Sequence, residues 1–220
     1  MEKIKSILTK EIVLEFRRKS VIAGLSLYLV STVFIYYLAF GLSRQVLGPL
    51  VWSALFWATF LFSAINTIAK SFIGEKRGLD IYYYSIVTPE KVVVSKIIYN
   101  SFLSLLMGLA GFGLFATLLS NPIQDLVSFV GVLVLTSIGF AASLTLMSGI
   151  SAKANNSNVL MAVLSFPVVI SILLLAIRAT KNCIDGLDPS ASYDELLTLF
   201  AINCLVGAVS YLLFPYIWRS

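Results

Sequence analysis

The chain has 220 residues, of which 59% are hydrophobic and only 12% charged, and its mean hydropathy is +0.93. A soluble domain is roughly 45–50% apolar and about 25% charged, and a water-soluble fold of this size has no way to hide such a surplus. Soluble enzymes are therefore excluded, and the formal charge of +5 bears on membrane orientation rather than on nucleic acid.

Residues 1–20 carry six Lys/Arg and place Ile4, Leu8, Ile12 and Phe16 four apart, with Lys3, Lys10 and Arg17 on another stripe. That spacing predicts a helix along the membrane interface. Glu11 and Glu15 intrude on its apolar side, so a solvated basic leader that only fixes topology stays open. The first apolar run is too long for a signal-peptide core and lacks a small-residue cleavage site, so no cleavable signal is expected.

Six runs then pass without Asp, Glu, Lys or Arg: 21–43, 46–69, 97–121, 126–152, 154–177 and 196–218. Each is long enough to cross the hydrocarbon core, which takes about 20 helical residues. Backbone polar groups in lipid must be satisfied within the segment, which favours helices; barrel strands would alternate over about ten residues, and no such pattern occurs. The fold class is an all-α membrane protein: a six-transmembrane-helix bundle with an N-terminal interfacial helix. A single transmembrane domain is expected over 1–220, with spans at about 21–43, 47–69, 97–119, 126–150, 159–177 and 196–217.

With the N-terminus inside, thirteen Lys/Arg face the cytoplasm and three, Arg44, Arg178 and Lys181, face out. Both termini are thus expected to be cytoplasmic. Trp52, Tyr211, Tyr216 and Trp218 fall near span ends, where amphipathic rings settle in the headgroup region.

The connections are unequal. The outer turns at 43–46 and 120–125 are short, and the inner 151–158 stretch is polar and turn-rich. The last outer connection, 178–195, holds Asp185-Gly186 and Asp188-Pro189; it reads as irregular and solvated, leaving Cys183 accessible from outside. The 70–96 connection differs: its 27 residues are long for a compact bundle, which points to function. Thr88-Pro89-Glu90 reads as a helix start, with Thr as N-cap, Pro at the first position and an acid in the first turn. Leu79, Ile81, Tyr82 and Tyr83, framed by Lys76, Arg77 and Asp80, form an apolar knob with a charged collar. That composition suits docking; the alternative is a segment resting its tyrosines among the headgroups.

Enzymatic chemistry is absent from the residues. There is no histidine, the commonest general base and metal ligand. Cys183 and Cys204 have no CxxC spacing, and no G-x-x-x-x-G-K-[ST] cradles phosphate. No catalytic residue, metal site or bound cofactor is assigned. Gly108, Gly111 and Gly113 lie within a span, where small residues allow close helix packing. The spans carry no charge, which disfavours a proton- or sodium-coupled transporter. Their polar residues, Asn66, Thr67, Asn100, Ser101, Thr136, Ser137 and Asn203, are expected to bond between helices. Pro167 removes one hydrogen bond inside span five; a hinge and static packing are both open. A membrane subunit driven by a separate protein fits this combination.

The basic leader, the six spans and the cytoplasmic connection with its short helix resemble the permease subunits of ABC-2-type transporters. More specifically, the chain resembles the CcmB family, called haem exporter protein B, of cytochrome c maturation. The likeness rests on LEFRRKS at 14–20, on the stretch from Phe72 to Lys96 with Glu75, Gly78, Thr88-Pro89 and Lys96, and on NVLMAVLSFPVVISILLLA at 158–176 with its central proline. Departures are a slightly shorter connection, Thr-Pro where Ser-Pro is usual, and Ala-Asn-Asn-Ser-Asn where a basic cluster commonly opens span five.

The resemblance implies a non-catalytic membrane subunit paired with a cytoplasmic ATP-binding subunit, CcmA in that family. It also implies the membrane partners CcmC and CcmD and the haem chaperone CcmE, in a bacterial inner membrane, and leaves room for a homodimer within the complex. ATP would sit on the partner, and haem would be a substrate of the complex, exported or passed on when the loaded chaperone is released. A subunit without histidine is a poor haem ligand, which leans towards release. The residues expected to couple to the ATPase are Glu75, Arg77, Gly78, Leu79, Asp80, Ile81, Tyr83, Thr88, Pro89 and Lys96. The other readings are an ABC-2 permease exporting a lipid, drug or polysaccharide, and a membrane scaffold that needs no ATPase.

Overall fold

The computed structural model describes residues 19–41, 47–68, 72, 88–152, 157–187 and 189–219. The interfacial helix expected over 1–20 therefore lies outside the described residues, save for the two that open the first span. Helix α1 (Lys19–Tyr36) ends in a π-helical turn at Tyr37–Gly41. Then follow α2 (Pro49–Ile68), α3 (Pro89–Leu118), α4 (Leu126–Ala152) and α5 (Ser157–Ile184). A 3-10 turn at Pro189–Ser192 leads into α6 (Tyr193–Arg219). Six helices among the described residues are long and apolar enough to cross a membrane. The observed architecture is the all-α membrane bundle read from the charge-free runs.

Side-chain contacts fix the helix directions. Asn100 meets Thr145, and Gly108 meets Leu133, so α3 and α4 are antiparallel. Asn203 and Phe214 meet Gly139 and Gly149 in that order, so α6 runs with α4. Helix α4 is the centre of the bundle. It packs most extensively on α5, α3 and α6, and its residues 139–146 are buried without a break. Lipid tails are as apolar as leucine, so close packing and interhelical hydrogen bonds hold such a bundle together.

Both contributions are visible. Trp52, Phe56 and Phe60 of α2 interleave with Phe115 of α3 and with Phe129 and Phe140 of α4, with ring centroids between 5.4 and 5.7 Å. Trp52 is thus a core residue, 1% exposed, and not the interfacial anchor expected of it; Tyr211 and Tyr216 are exposed. A Cβ on Gly108 would come within 2.9 Å of Leu133 Cδ1 and 3.0 Å of Phe60 Cε2. Gly113 has open space and Gly111 ordinary contact, so close packing depends on Gly108 alone of the three.

Interhelical bonds run from Asn100 Nδ2 to Thr145 Oγ1 (2.8 Å), from Asn203 Nδ2 to the Leu135 carbonyl (2.8 Å) and from Trp57 Nε1 to Thr180 Oγ1 (2.8 Å). Thr67, Ser101 and Ser137 instead donate to carbonyls four residues back on their own helices. Asn66 is exposed, and the buried Thr136 hydroxyl meets no hydrogen-bond partner among the described residues.

The end of the bundle assigned to the outside by the basic-residue bias is stitched together by backbone bonds. Ser120 takes a left-handed φ of 67° as α3 stops. Asp125 caps α4, accepting the Ser128 amide at 3.1 Å. Hydrogen bonds from the Ser128 side chain and its amide hold the Asp125 carboxyl below its ordinary value. The amides of Gln124 and Asp125 donate to the Cys183 carbonyl at 3.1 and 3.2 Å, joining the α3–α4 turn to the end of α5.

Here the expected irregular connection at 178–195 is corrected. Helix α5 runs on to Ile184 and α6 starts at Tyr193. Ala179, Thr180, Cys183 and Ile184 bury one face of the extra turns, while Arg178 and Lys181 lie on the other. Lys181 pairs with Asp185 at 2.6 Å. Gly186, at φ +65°, then ends the helix, with the Leu187 amide returning to the Asn182 carbonyl at 3.3 Å. Cys183 is 2% exposed, so the accessible thiol expected from the sequence is instead a core residue.

Candidate functional site

The 70–96 connection enters the bundle at the end carrying Ile68, Pro89 and Ala152, which the basic-residue bias assigns to the cytoplasm. Of the ten coupling residues, Glu75, Arg77, Gly78, Leu79, Asp80, Ile81 and Tyr83 lie outside the described residues. Thr88, Pro89 and Lys96 lie within them.

Thr88 has the extended backbone of an N-cap (φ −71°, ψ 142°), Pro89 opens the helix and Glu90 stands in its first turn. The Thr88 hydroxyl makes no capping bond; its carbonyl accepts the Lys91 and Val92 amides at 3.0 and 3.4 Å. Proline supplies the stop and the start chemistry together: it has no amide to leave unsatisfied, and its φ suits the first helical position. Helix α3 then runs for 30 residues without interruption. At 1.5 Å per residue it is a rod of about 45 Å whose first eight residues belong to the 70–96 connection. Its first two turns are the helix the sequence placed before span three, fused to that span.

Lys96 is 2% exposed, which is unusual for a lysine. Its Nζ stands 4.6 Å from the centroid of the Phe72 ring, a geometry in which the ring face attracts the ammonium. Phe72 is itself buried. Its ring lies 5.1 Å from that of Phe214 on α6, and its amide donates to Ser148 Oγ on α4 at 3.2 Å. Val92 and Val93 of α3 complete this small apolar cluster, separate from the main core. Gly149 of α4 makes room for it, since a Cβ there would lie 2.9 Å from Phe214 Cε2 and 3.7 Å from Phe72 Cδ2. Phe72 thus occupies a socket built by α3, α4 and α6.

Sequence reasoning named Lys96 but not its socket. Phe72, Ser148, Gly149 and Phe214 come from three separate stretches of chain, and no local pattern joins them. Phe72 alone carried a signal: an aromatic just past the charge-free run that ends at Ala69. Pro167 lies on the exposed face of α5, whose helix continues through it, with the Ser171 hydroxyl donating to the Pro167 carbonyl at 2.9 Å.

The arrangement brings together a buried aromatic, a cation over its ring and the first turns of a 30-residue helix. In comparisons with known proteins, the family model described as CcmB protein matches residues 2–214. No curated protein matches the chain.

Proposed function

The chain belongs to the CcmB family, so it is a multi-pass permease component of the cytochrome c maturation ABC transporter, and from this premise we propose that it turns ATP hydrolysis on a partner subunit into motion of its own helices. The 70–96 connection receives the ATPase through Glu75, Arg77, Gly78, Leu79, Asp80, Ile81 and Tyr83, and Thr88-Pro89 passes the displacement into α3. The observation that supports this reading most is the unbroken course of α3 from Pro89 to Leu118. A rigid-body closure of the ATPase needs a stiff element to reach the membrane, and a helix fused to a span is one.

In this reading the chain binds no cofactor. ATP sits on a CcmA-like subunit, and the membrane partners are CcmC-like and CcmD-like proteins with a CcmE-like haem chaperone. The site is a bacterial inner membrane with both termini in the cytoplasm. Between haem export and release of the loaded chaperone, the absence of histidine favours release, because this chain brings no imidazole to a haem iron. The test is purification from native membranes with identification of what accompanies the chain, followed by ATPase and cytochrome c maturation assays. An ATP-binding subunit should co-purify, and the chain alone should hydrolyse no ATP. Robust hydrolysis by the isolated chain, or a complex lacking any ATPase, would sink the reading.

A further inference from the structure

We propose that the exposed face of α5 running from Val163 through Pro167 and Leu174 to Arg178 receives a membrane-spanning helix of another protein, which brings a hydrogen-bond donor to the Val163 carbonyl and an acid to Arg178. This face plays no part in the ATPase coupling proposed above. Helix α5 is one-sided. Met161, Val169, Ile172, Ala176 and Ala179 are buried, while Val163 (65% exposed), Phe166 (64%) and Leu174 (51%) look outward together with Pro167, Ser171 and Arg178.

An apolar helix face in a membrane needs nothing more than lipid tails, but two features of this face ask for more. The first is a carbonyl. Pro167 has no amide, so the Val163 carbonyl lacks the donor that the residue four places on supplies in an unbroken helix. The Ser171 hydroxyl does not replace it, since it donates to the Pro167 carbonyl at 2.9 Å. Among the described residues no other side chain donates to Val163. Hydrocarbon holds no water to take the vacant place, and backbone groups freed by proline in a span are satisfied by a side chain or by a neighbouring helix.

The second feature is a cation. Arg178 stands on the same face, one turn beyond Leu174. Its neighbour Lys181 is matched by Asp185 at 2.6 Å, whereas Arg178 forms no ion pair among the described residues. Val163 precedes Arg178 by fifteen positions, about 22 Å along a helix. The hydrocarbon core is about 30 Å thick, so with Arg178 at the headgroups the Val163 carbonyl is still inside it. A lipid phosphate matches the guanidinium, but acyl chains carry no donor for a carbonyl at that depth. A second copy of this chain meeting the same face brings neither group, because its Ser171 hydroxyl and Asp185 are already engaged. A helix with a hydroxyl, amide or indole donor about 22 Å from an outer Asp or Glu supplies both. Its carboxylate pairs with the guanidinium, and its donor makes the kind of bond that joins helices in a bilayer.

The experiment uses the full chain in its native membranes. A photo-crosslinking phenylalanine analogue is placed at Val163, at Leu174 and, as a control on another face, at Leu27 of α1 (70% exposed). Mass spectrometry identifies the adducts. Val163 and Leu174 should both capture one apolar segment of about 20 residues in another protein, with a Ser, Thr, Asn, Gln or Trp near the Val163 adduct and an Asp or Glu near its outer end. Leu27 should not capture that segment. After solubilisation, Arg178→Gln and Pro167→Ala should each retain the partner roughly threefold less, the scale of one interhelical hydrogen bond. Pro167→Ala should at the same time raise the melting temperature of the isolated chain, because α5 regains its own donor. Arg178→Glu should lose the partner and regain it when the partner's acid is changed to Arg. If Pro167→Ala does not fold, the charge reversal at Arg178 carries the comparison. Lipid adducts alone at Val163 and Leu174, adducts to another copy of this chain, or a captured segment lacking the donor or the acid would overturn the proposal. So would full retention of the partner by either folded variant.

Discussion

The side chain of Asn203 on α6 lies over Gly139 on α4: its Nδ2 donates to the Leu135 carbonyl at 2.8 Å, and a Cβ on Gly139 would stand 2.5 Å from its Oδ1. An amide is thereby carried into the middle of the bundle because one backbone position has no side chain. Gly139→Ala should force α6 away and cost about 1–3 kcal/mol, the range for overpacking a filled core. Thermal unfolding in detergent should show the loss. Adding Asn203→Ala removes the obstacle, so the double variant should be less destabilised than the two single losses combined. A Gly139→Ala protein as stable as the parent would mean that the helices do not approach this closely.

Cys183 belongs to the main apolar core and lies on α5 one turn beyond the bond from Trp57 to Thr180. Maleimide attack needs a thiolate in contact with water, and 2% exposure denies it that contact. The native protein should modify Cys183 at least about tenfold more slowly than the detergent-denatured chain. Mass spectrometry of the labelled peptide gives both rates, and equal rates would refute the burial. Both thiols are free in the structure, Cys183 in the last turn of α5 and Cys204 well inside α6, so no disulfide joins them.

Asp125 ties acid sensitivity to the far end of the bundle. Its carboxyl is held below its ordinary value by the hydrogen bonds from Ser128. The stabilisation is therefore present above the unfolded carboxylate value and is lost as pH falls through the lower, folded one. Melting temperatures taken downward from about pH 6 to about pH 2 should fall in that window. Asp125→Asn keeps an N-cap acceptor without a titrating proton, so it should flatten the part of the profile owed to this group. A profile unchanged by Asp125→Asn would assign the acid loss elsewhere.

The fold was legible where physical chemistry is local. A run without charge has few options in lipid, so six spans followed from composition, and Thr88-Pro89 marked the start of α3 because proline restricts what precedes it. The misreadings came from one-sided burial. Arg178 and Lys181 looked like the end of span five, yet Ala179, Thr180 and Cys183 bury the opposite face and carry α5 on to Ile184. Trp52 sat near a span end as interfacial tryptophans do, but its place in α2 turns it towards Phe115. The socket was not legible for a different reason. Phe72 and Ser148 stand 76 residues apart, and nothing in either neighbourhood names the other.

The docking surface proposed for the 70–96 connection divides by composition into two sets of residues that should behave differently. Leu79, Ile81 and Tyr83 are the apolar set; Glu75, Arg77 and Asp80 are the charged one. Apolar anchors that become fully buried dominate the energy of an interface, each worth about 2 kcal/mol or more when truncated. Charges that stay at the rim remain hydrated and contribute about 0–1 kcal/mol each, acting mainly on the rate of encounter. Replacing the apolar trio with Ala should therefore weaken binding of the ATP-binding subunit by more than about 30-fold. Glu75→Gln, Arg77→Gln and Asp80→Asn together should weaken it by less than about tenfold and reduce its salt dependence. Binding of the purified ATPase to the chain in nanodiscs, measured at two ionic strengths, gives both quantities. If the charged set proves the stronger, the surface is an electrostatic one and the tyrosines belong to the headgroups. If neither set matters, docking moves to the 151–158 connection or to the basic leader, the other segments that the basic-residue bias assigns to the cytoplasm.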